Sequence, residues 1–456
     1  MLGRCLAYIQ TAMSLPTVTF AEATRVWARI ALLSFGGPAG QIAVMHRILV
    51  EEKKWISERR FLHALNYCML LPGPEAQQLA VYIGWLMHRM RGGIVSGTLF
   101  ILPGLVSLGI LSWVYAAYGQ VAWVAALFFG LKAAVLAIVL DAVVRIGRRA
   151  LKSRVLVGVA AAAFIAIFVF AVPFPLIIVA AAGFGWLAGE TRSGGHGAAL
   201  AGEEGLIDDA FARELPAHVR PSVMRLATIV AVGGLLWFAP LLMTLAMLGA
   251  GNIYAAVAVF NAKMAVVTFG GAYAVLSYMA QQAVEHYHWL KPDEMLVGLG
   301  LAETTPGPLI SVVQFVGFLA AARQPGTLDP MIAGTLGGLI AMWSTFVPSF
   351  LWIFAGAPYV EALTGNKRLN AALSGVTAAV VGVILHLAVW LGLHTLFARI
   401  VMAGPFRLPV LESVHWPAFI IALAALVVIF RFGAGVVLVL AGSCLAGMLF
   451  YLAGLT

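Results

Sequence analysis

The chain has 456 residues, of which 62% are hydrophobic and 10% charged, with a mean hydropathy of +0.98 and a formal net charge of +9. Globular proteins carry about 25% charged residues, so this composition excludes a soluble protein and predicts an all-α polytopic membrane protein surrounded by a lipid bilayer. The basic excess is typical of loops on the cytoplasmic side of such proteins and does not indicate a nucleic-acid partner.

Residues 1–190 form the first of two predicted repeats. Its first two apolar pieces are interrupted in the middle, by Phe35-Gly36-Gly37 and by Pro72-Gly73-Pro74, and Glu75 follows the second break. Glycine and proline break helices, so each interrupted piece is either a kinked full span or a re-entrant hairpin of two half-helices. Hairpins would leave the basic loops of this repeat on one side, and the positive-inside rule therefore favours them. The six apolar pieces lie near residues 19–46, 60–88, 93–118, 120–145, 155–171 and 174–190.

The next two segments, 191–225 and 226–250, separate the repeats. The first is polar, glycine-rich and mixed in charge, which predicts a cytoplasmic linker with a short helix near residues 206–215. The second is apolar and predicts a transmembrane helix with no counterpart before the first repeat. If each repeat crosses the membrane an even number of times, this extra helix inverts the second repeat relative to the first.

Residues 251–456 form the second repeat. Residues 269–308 align with residues 35–74 without a gap at an offset of 234, and both the Phe-Gly-Gly and the Pro-Gly-Pro recur. After an insertion of 11 residues the register resumes at an offset of 245. We therefore expect two inverted-topology repeats with broken helices or re-entrant helical hairpins, and about 10–13 membrane segments. The six apolar pieces of this repeat lie near residues 252–280, 294–321, 331–356, 370–397, 415–431 and 434–454.

The four helix breaks are predicted to meet at one central cavity. Broken helices at membrane depth are tolerated where they line protein or a cavity, and the N-terminus of a half-helix attracts an anion. Basic and hydroxyl side chains near the breaks predict a tetrahedral oxyanion as the ligand. The predicted substrate-binding residues are Arg29, Ser34, Gly36, Gly37, Pro72, Gly73, Pro74, Lys132, Lys263, Thr268, Gly270, Gly271, Pro306, Gly307 and Pro308.

Other interpretations of these residues stay open. The glycines and prolines can serve only for close packing and kinks. Arg29 can extend to a membrane interface, and Lys132 can belong to an internal ion pair.

Three carboxylates are candidates for coupling transport to an ion gradient. Glu75 follows the first Pro-Gly-Pro, and Glu303 precedes the second by three residues. Asp141 lies four residues before Arg145, so a helical ion pair also explains it. The sequence has no nucleotide-binding loop, catalytic nucleophile arrangement or metal-ligand spacing, and the three cysteines have no paired spacing. We therefore predict no enzyme activity, no cofactor and no metal.

The two pairs of blocks that contain these breaks resemble the signature blocks of the chromate transporter family. The blocks read RIALLSFGGPAG and LLPGPEAQQ in the first half, and KMAVVTFGGAYA and TTPGPLIS in the second, with Trp55 and Trp289 between them. The resemblance covers nearly the whole chain. It implies a protein of the bacterial inner membrane, built from two halves in opposite orientations, that exports chromate from the cytoplasm and gives chromate resistance. The second half departs at GGAYA and lacks a glutamate after Pro308, so the halves need not contribute equally.

Three questions remain open from the sequence. Chromate and sulfate are dianions of nearly the same shape, and no residue type here distinguishes them. The same site would also suit an anion channel. A homodimer is compatible with the sequence but nothing in it requires one.

Overall fold

The computed structural model describes residues 18–188, 218–249, 251–269, 272–360, 366–403 and 406–455. Within these ranges the protein has sixteen α-helices and one small antiparallel sheet. Most of the predicted linker 191–225, including the short helix expected near residues 206–215, lies outside the described residues, as do Gly270 and Gly271.

The first repeat contains seven helices, and an eighth follows the linker. These helices are α1 Phe20–Leu33, α2 Gly37–His46, α3 Glu58–Leu70, α4 Glu75–Tyr118, α5 Ala122–Ala150, α6 Arg154–Phe168, α7 Phe174–Ala188 and α8 Val223–Leu248. The backbone of α4 leaves the helical region at His88 and Arg89, so α4 consists of a half-helix, α4a (residues 75–87), and a long helix, α4b (residues 90–118). Helix α8 is the extra apolar helix that the sequence predicted near 226–250.

The second repeat contains the remaining eight helices. They are α9 Ile253–Val267, α10 Ala272–Ala280, α11 Pro292–Thr304, α12 Val312–Ala322, α13 Pro330–Gly356, α14 Lys367–Leu396, α15 Trp416–Phe432 and α16 Val436–Leu452. The repeats follow the same order, because α12 and α13 correspond to α4a and α4b. Strands β1 Ile400–Ala403 and β2 Phe406–Pro409 form a hairpin between α14 and α15, with Ile400 opposite Pro409. The sequence did not predict this hairpin.

Polar residues cap the starts of several helices. The hydroxyls of Thr19 and Ser57 accept hydrogen bonds from backbone amides at the starts of α1 and α3, at 3.2 Å each. Asn252 and Asp329 do the same at the starts of α9 and α13, at 2.9 Å each. Such caps satisfy amides that have no partner inside the helix. They explain why the apolar segments begin where they do.

The structure is that of an all-α polytopic membrane protein. Five helices are long and apolar enough to cross a membrane: α4, α5, α8, α13 with its last turn, and α14. Shorter apolar helices fill the rest of both repeats.

Each interrupted piece of the first repeat folds back on itself. The end of the first piece returns to its start, where Lys53 Nζ lies 3.3 Å from Glu22 Oε1. The end of the second piece reaches the same place, because the ring of His88 lies 5.5 Å from that of Phe20. We call these outer ends the base of the first hairpin pair. The two helix breaks form its tips.

The second repeat has the same two hairpins. The ring of Tyr287, after α10, lies 5.6 Å from that of Phe260 in α9. Arg323, at the end of α12, pairs with Glu294 at the start of α11 and donates to the carbonyl of Trp289. The backbone repeats in detail as well. A single turn of π-helix ends both first hairpins, at Arg47–Glu52 and Gln281–His286, an offset of 234.

Helix α4b spans the distance between the two bases. It starts at the base of the first hairpin pair, next to His88. At its middle Gly104 contacts the second Pro-Gly-Pro, where a Cβ on Gly104 would lie 2.9 Å from the carbonyl oxygen of Pro306. Near its end Trp113 donates to Thr335 at 2.9 Å, one turn into α13, which follows the base of the second pair. The two bases therefore lie at opposite ends of α4b, and the tips lie between them.

Candidate functional site

The tips of the two hairpin pairs hold each other through a reciprocal pair of hydrogen bonds. The amide of Gly73 donates to the carbonyl oxygen of Thr268 at 2.8 Å, and the amide of Gly307 donates to that of Ser34 at 2.9 Å. Gly73 is equivalent to Gly307, and Ser34 to Thr268, at the offset of 234. Such an exchange of partners is what a two-fold relation between the repeats produces. We call this meeting point of the four breaks the central junction.

The side chains of Ser34 and Thr268 are already engaged within their own helices. Ser34 Oγ donates to the carbonyl of Ile30 at 2.7 Å, and Thr268 Oγ1 donates to that of Met264 at 2.6 Å. Both residues are fully buried. Since each hydroxyl has a single proton, neither of them donates to a ligand in this state.

Glycine is required at both Pro-Gly-Pro breaks. The φ angles are 130° at Gly73 and 109° at Gly307, a region that side chains rarely adopt. A Cβ on Gly73 would also lie 2.6 Å from Gln78 Nε2 and 2.9 Å from Ser349 Oγ. Because α4a and the segment at Leu309–Ser311 both begin directly after a break, the amides of their first residues have no carbonyl partner within the helix.

Buried polar side chains surround the central junction without hydrogen-bond partners among the described residues. They are both amide atoms of Gln77, Gln78 Oε1, Ser311 Oγ, Gln314 Oε1 and Ser349 Oγ. Gln77 and Ser311 are equivalent in the two repeats. A buried polar atom without a partner costs about 1–3 kcal/mol, and native proteins rarely keep several together without a ligand or water. These residues are not among those predicted from the sequence, although the run Gln77-Gln78 directly after a break in an apolar segment is a signal that points to them.

The carboxylates differ in their surroundings. Glu303 is 4% exposed; its Oε1 accepts a hydrogen bond from Tyr273 at 2.7 Å, and its Oε2 has no partner among the described residues. Asp141 pairs with Arg145 at 3.6 Å, and both lie within electrostatic range of Glu303. Glu75 is partly exposed at the first position of α4a, beside Cys68. A buried carboxylate with so few donors is costly to ionise, so Glu303 is the carboxylate most suited to bind a proton.

The predicted basic residues do not gather at the reciprocal hydrogen bonds. Arg29 is half-exposed and pairs with Glu52 at 2.8 Å, and Lys263 is exposed on α9. Lys132 Nζ lies 3.9 Å from Asp293 Oδ2, at the base of the second hairpin pair. Arg145 is instead the basic side chain in range of Glu303, a placement that its position among loop cations in the sequence did not indicate.

The glycines of the first break have left-handed backbone angles and lie close to the second repeat. Gly36 and Gly37 have φ angles of 79° and 72°. A Cβ on Gly37 would lie 3.5 Å from the hydroxyl of Tyr273, and Gln41 donates to the carbonyl of Gly307 at 2.5 Å. The first Phe-Gly-Gly therefore lies next to both the Glu303–Tyr273 pair and the second Pro-Gly-Pro.

The fold and the central junction define a multi-pass membrane protein made of two hairpin-containing repeats that meet at their helix breaks. The family profile described as "Chromate transporter" matches residues 21–186 and 255–448. The chain thus belongs to the chromate transporter family, as the resemblance of the sequence blocks predicted.

Three relatives cover most of the chain. It is 32% identical to a chromate transport protein of Pseudomonas aeruginosa over 81% of this chain and 80% of the relative. It is 28% identical to one of Cupriavidus metallidurans, over 81% and 82%. It is 25% identical to a probable chromate transport protein of Synechococcus elongatus, over 96% and 97%. No solved structure matches the chain.

Proposed function

We propose that this protein is a secondary transporter that exports chromate from the cytoplasm by alternating access and so gives chromate resistance. The observation that carries the proposal is the central junction, where two sets of helix breaks meet beside buried polar atoms that have no hydrogen-bond partner among the described residues. Both chromate and sulfate are tetrahedral dianions, so the junction suits either. The names of the relatives favour chromate.

The two repeats are proposed to have opposite orientations in the membrane. The bases of the two hairpin pairs lie at opposite ends of α4b, which is long enough to span a bilayer, and this supports the inversion. The basic residues favour the base of the first pair as the cytoplasmic side. This side carries Lys53, Lys54, Arg59, Arg60, Arg89 and Arg91. The central linker is proposed to lie on the same side, in a bacterial inner membrane.

The anion is proposed to bind where the half-helices start. Gln77 and Ser311 offer hydrogen bonds from opposite repeats, and the first-turn amides add the positive ends of two helix dipoles. Arg145 supplies a positive charge within electrostatic range of Glu303, which lies in the same region of the second repeat. In the state seen here the amides of Gly73 and Gly307 are occupied by carbonyl oxygens. Separation of the tips would release those amides to the anion, which couples binding to the conformational change.

Proton coupling is proposed to use Glu303, with Glu75 as a second candidate. Glu303 accepts a hydrogen bond from Tyr273, which itself lies beside the first break. A change of charge on Glu303 would therefore alter contacts at a tip directly. Lys263 and Arg29 remain candidates for attracting the anion from either side.

The test is a flux assay with the purified protein in liposomes and labelled chromate. We expect chromate to accumulate against its concentration gradient when a proton gradient or membrane potential is imposed, and excess sulfate to reveal the selectivity by competition. Lys263→Ala should reduce the flux, whereas Lys367→Ala, at an exposed helix start, should not. Flux that only runs down the chromate gradient would instead indicate a channel. Absence of flux in well-folded protein would overturn the proposal.

A further inference from the structure

A cleft of about 550 Å³ opens at the base of the second hairpin pair. Its charged and polar lining consists of Lys132, Asp293, His394, Thr395 and His415. The cleft is separate from the central junction and lies toward the opposite end of α4b from the basic loops.

Lys132 is positioned to take an anion in this cleft. Its side chain is 24% exposed, and its only ion pair among the described residues is a loose one, 3.9 Å from Asp293. Exchange of Asp293 for a ligand anion would therefore cost little, since a weak pair of partly exposed charges contributes about 1 kcal/mol or less. Asp293 itself is about half exposed and can be hydrated.

The cleft also contains polar groups that can complete an anion site. Thr395 is buried, and its hydroxyl has no hydrogen-bond partner among the described residues. His394 and His415 present imidazole rings, which donate hydrogen bonds to oxyanions. The ring of His394 packs against that of Trp390, with 4.4 Å between the ring centroids. Its Nδ1 lies 2.8 Å from the backbone carbonyl oxygen of Trp390.

Helix α11 begins at the cleft, which Pro292 and Asp293 line, and runs to Glu303 near its other end. Leu131, the residue before Lys132, packs on Gly300 in α11 so closely that a Cβ there would lie 2.5 Å from the Leu131 side chain. Glu303 lies one turn further along α11, on the side of the junction.

We propose that the cleft is a second anion site, on the extracytoplasmic side, in which Lys132 receives the tetrahedral oxyanion from the central junction before release. This inference rests on the proposed direction of transport. It assigns Lys132 to the exit of the pathway, whereas the sequence had placed it at the central site.

The test measures the access of a membrane-impermeant, cationic thiol reagent to a cysteine in the cleft. Ala398 is exposed and lines the cleft, so Ala398→Cys is the probe, in a chain whose native cysteines are replaced by serine. Val401→Cys, 51% exposed on the adjacent strand and outside the cleft lining, is the matched control. Sulfate is the ligand used, because chromate would oxidise thiols, and chloride at equal ionic strength controls for screening.

We expect saturating sulfate to slow modification of Ala398→Cys at least threefold and to leave Val401→Cys unchanged. Adding Lys132→Gln should remove this protection, and Lys132→Arg should retain it. Equal rates in sulfate and chloride for the Ala398→Cys protein would overturn the inference. Chromate flux, measured in a parallel liposome preparation that is not labelled, reports separately on the proposed function, so the two can fail independently.

Discussion

The glycines of the two Pro-Gly-Pro breaks provide a graded test of the central junction. Gly73→Ala introduces a side chain where φ is 130° and where a Cβ would meet Gln78 Nε2 at 2.6 Å and Ser349 Oγ at 2.9 Å. Backbone strain of about 1–3 kcal/mol and overpacking of similar size together give a loss of about 2–6 kcal/mol. Gly307→Ala has the strain, but its nearest neighbour, in Gly104, lies 3.3 Å away. We expect it to lose about 1–3 kcal/mol.

Gly183→Ala is the matched control for these two variants. Gly183 lies inside α7 with ordinary helical φ, and a Cβ there would meet no atom within 4 Å. Alanine is the better helix former by up to about 1 kcal/mol, so this variant should be unchanged or more stable. The assay is the temperature at which the detergent-solubilised protein loses its monodisperse size-exclusion peak, followed by chromate flux in liposomes.

We expect Gly183→Ala to be the most stable of the three variants, Gly307→Ala to be intermediate and Gly73→Ala to be the least stable. Flux should fall in both junction variants even below their unfolding temperatures, because the tips can no longer exchange partners. If Gly73→Ala were as stable and as active as Gly183→Ala, the reciprocal contact between the tips would not be the feature on which transport depends.

Three further predictions concern side chains at the junction. Glu303→Gln should abolish the stimulation of chromate flux by an imposed pH gradient while exchange of internal for external chromate continues, and persistence of the stimulation would exclude Glu303 as the proton site. Gln77→Leu should raise the KM for chromate about tenfold or more, since a hydrogen bond to a charged group contributes about 1.5–3 kcal/mol; an unchanged KM would remove Gln77 from the anion site. Arg145→Gln should lower kcat/KM for chromate at least tenfold, whereas the neighbouring Arg148→Gln, near the end of α5, serves as its control and should retain wild-type flux.

The sequence predicted the plan of the fold because that plan depends on local patterns. Glycine and proline stop a helix wherever they occur, and the duplicated blocks gave the positions of both pairs of breaks. The correspondence extends to the backbone, where Lys54 and His288 both have φ near 50°, at 51° and 53°. Helix α8 was likewise visible as an apolar run.

The composition of the junction was harder to predict because it depends on how distant helices cross. Ser349 belongs to α13 and meets Gly73 only because α13 passes the tips of the other repeat. Arg145 is near the end of α5 by sequence but approaches Glu303 because α5 packs along α11. From the sequence, Arg29 is expected to lie at membrane depth. Its long side chain instead reaches Glu52 at the base of the first hairpin pair.

The reciprocal hydrogen bonds also bear on the energies of the transport cycle. The two equivalent halves hold each other through the same pair of backbone hydrogen bonds. If the halves exchanged conformations, the resulting state would keep nearly the same backbone interactions. We therefore expect the backbone to contribute almost equally to the free energies of an inward-facing and an outward-facing state. The difference between them then comes from side chains that occur in one half only. Glu303, Tyr273 and Gln41 are such residues, since their equivalents are Met69, Ala39 and Val275. If the protein works by alternating access, we expect a symmetric backbone to make the cycle reversible in principle and these unmatched polar groups to set the resting state and the direction of transport.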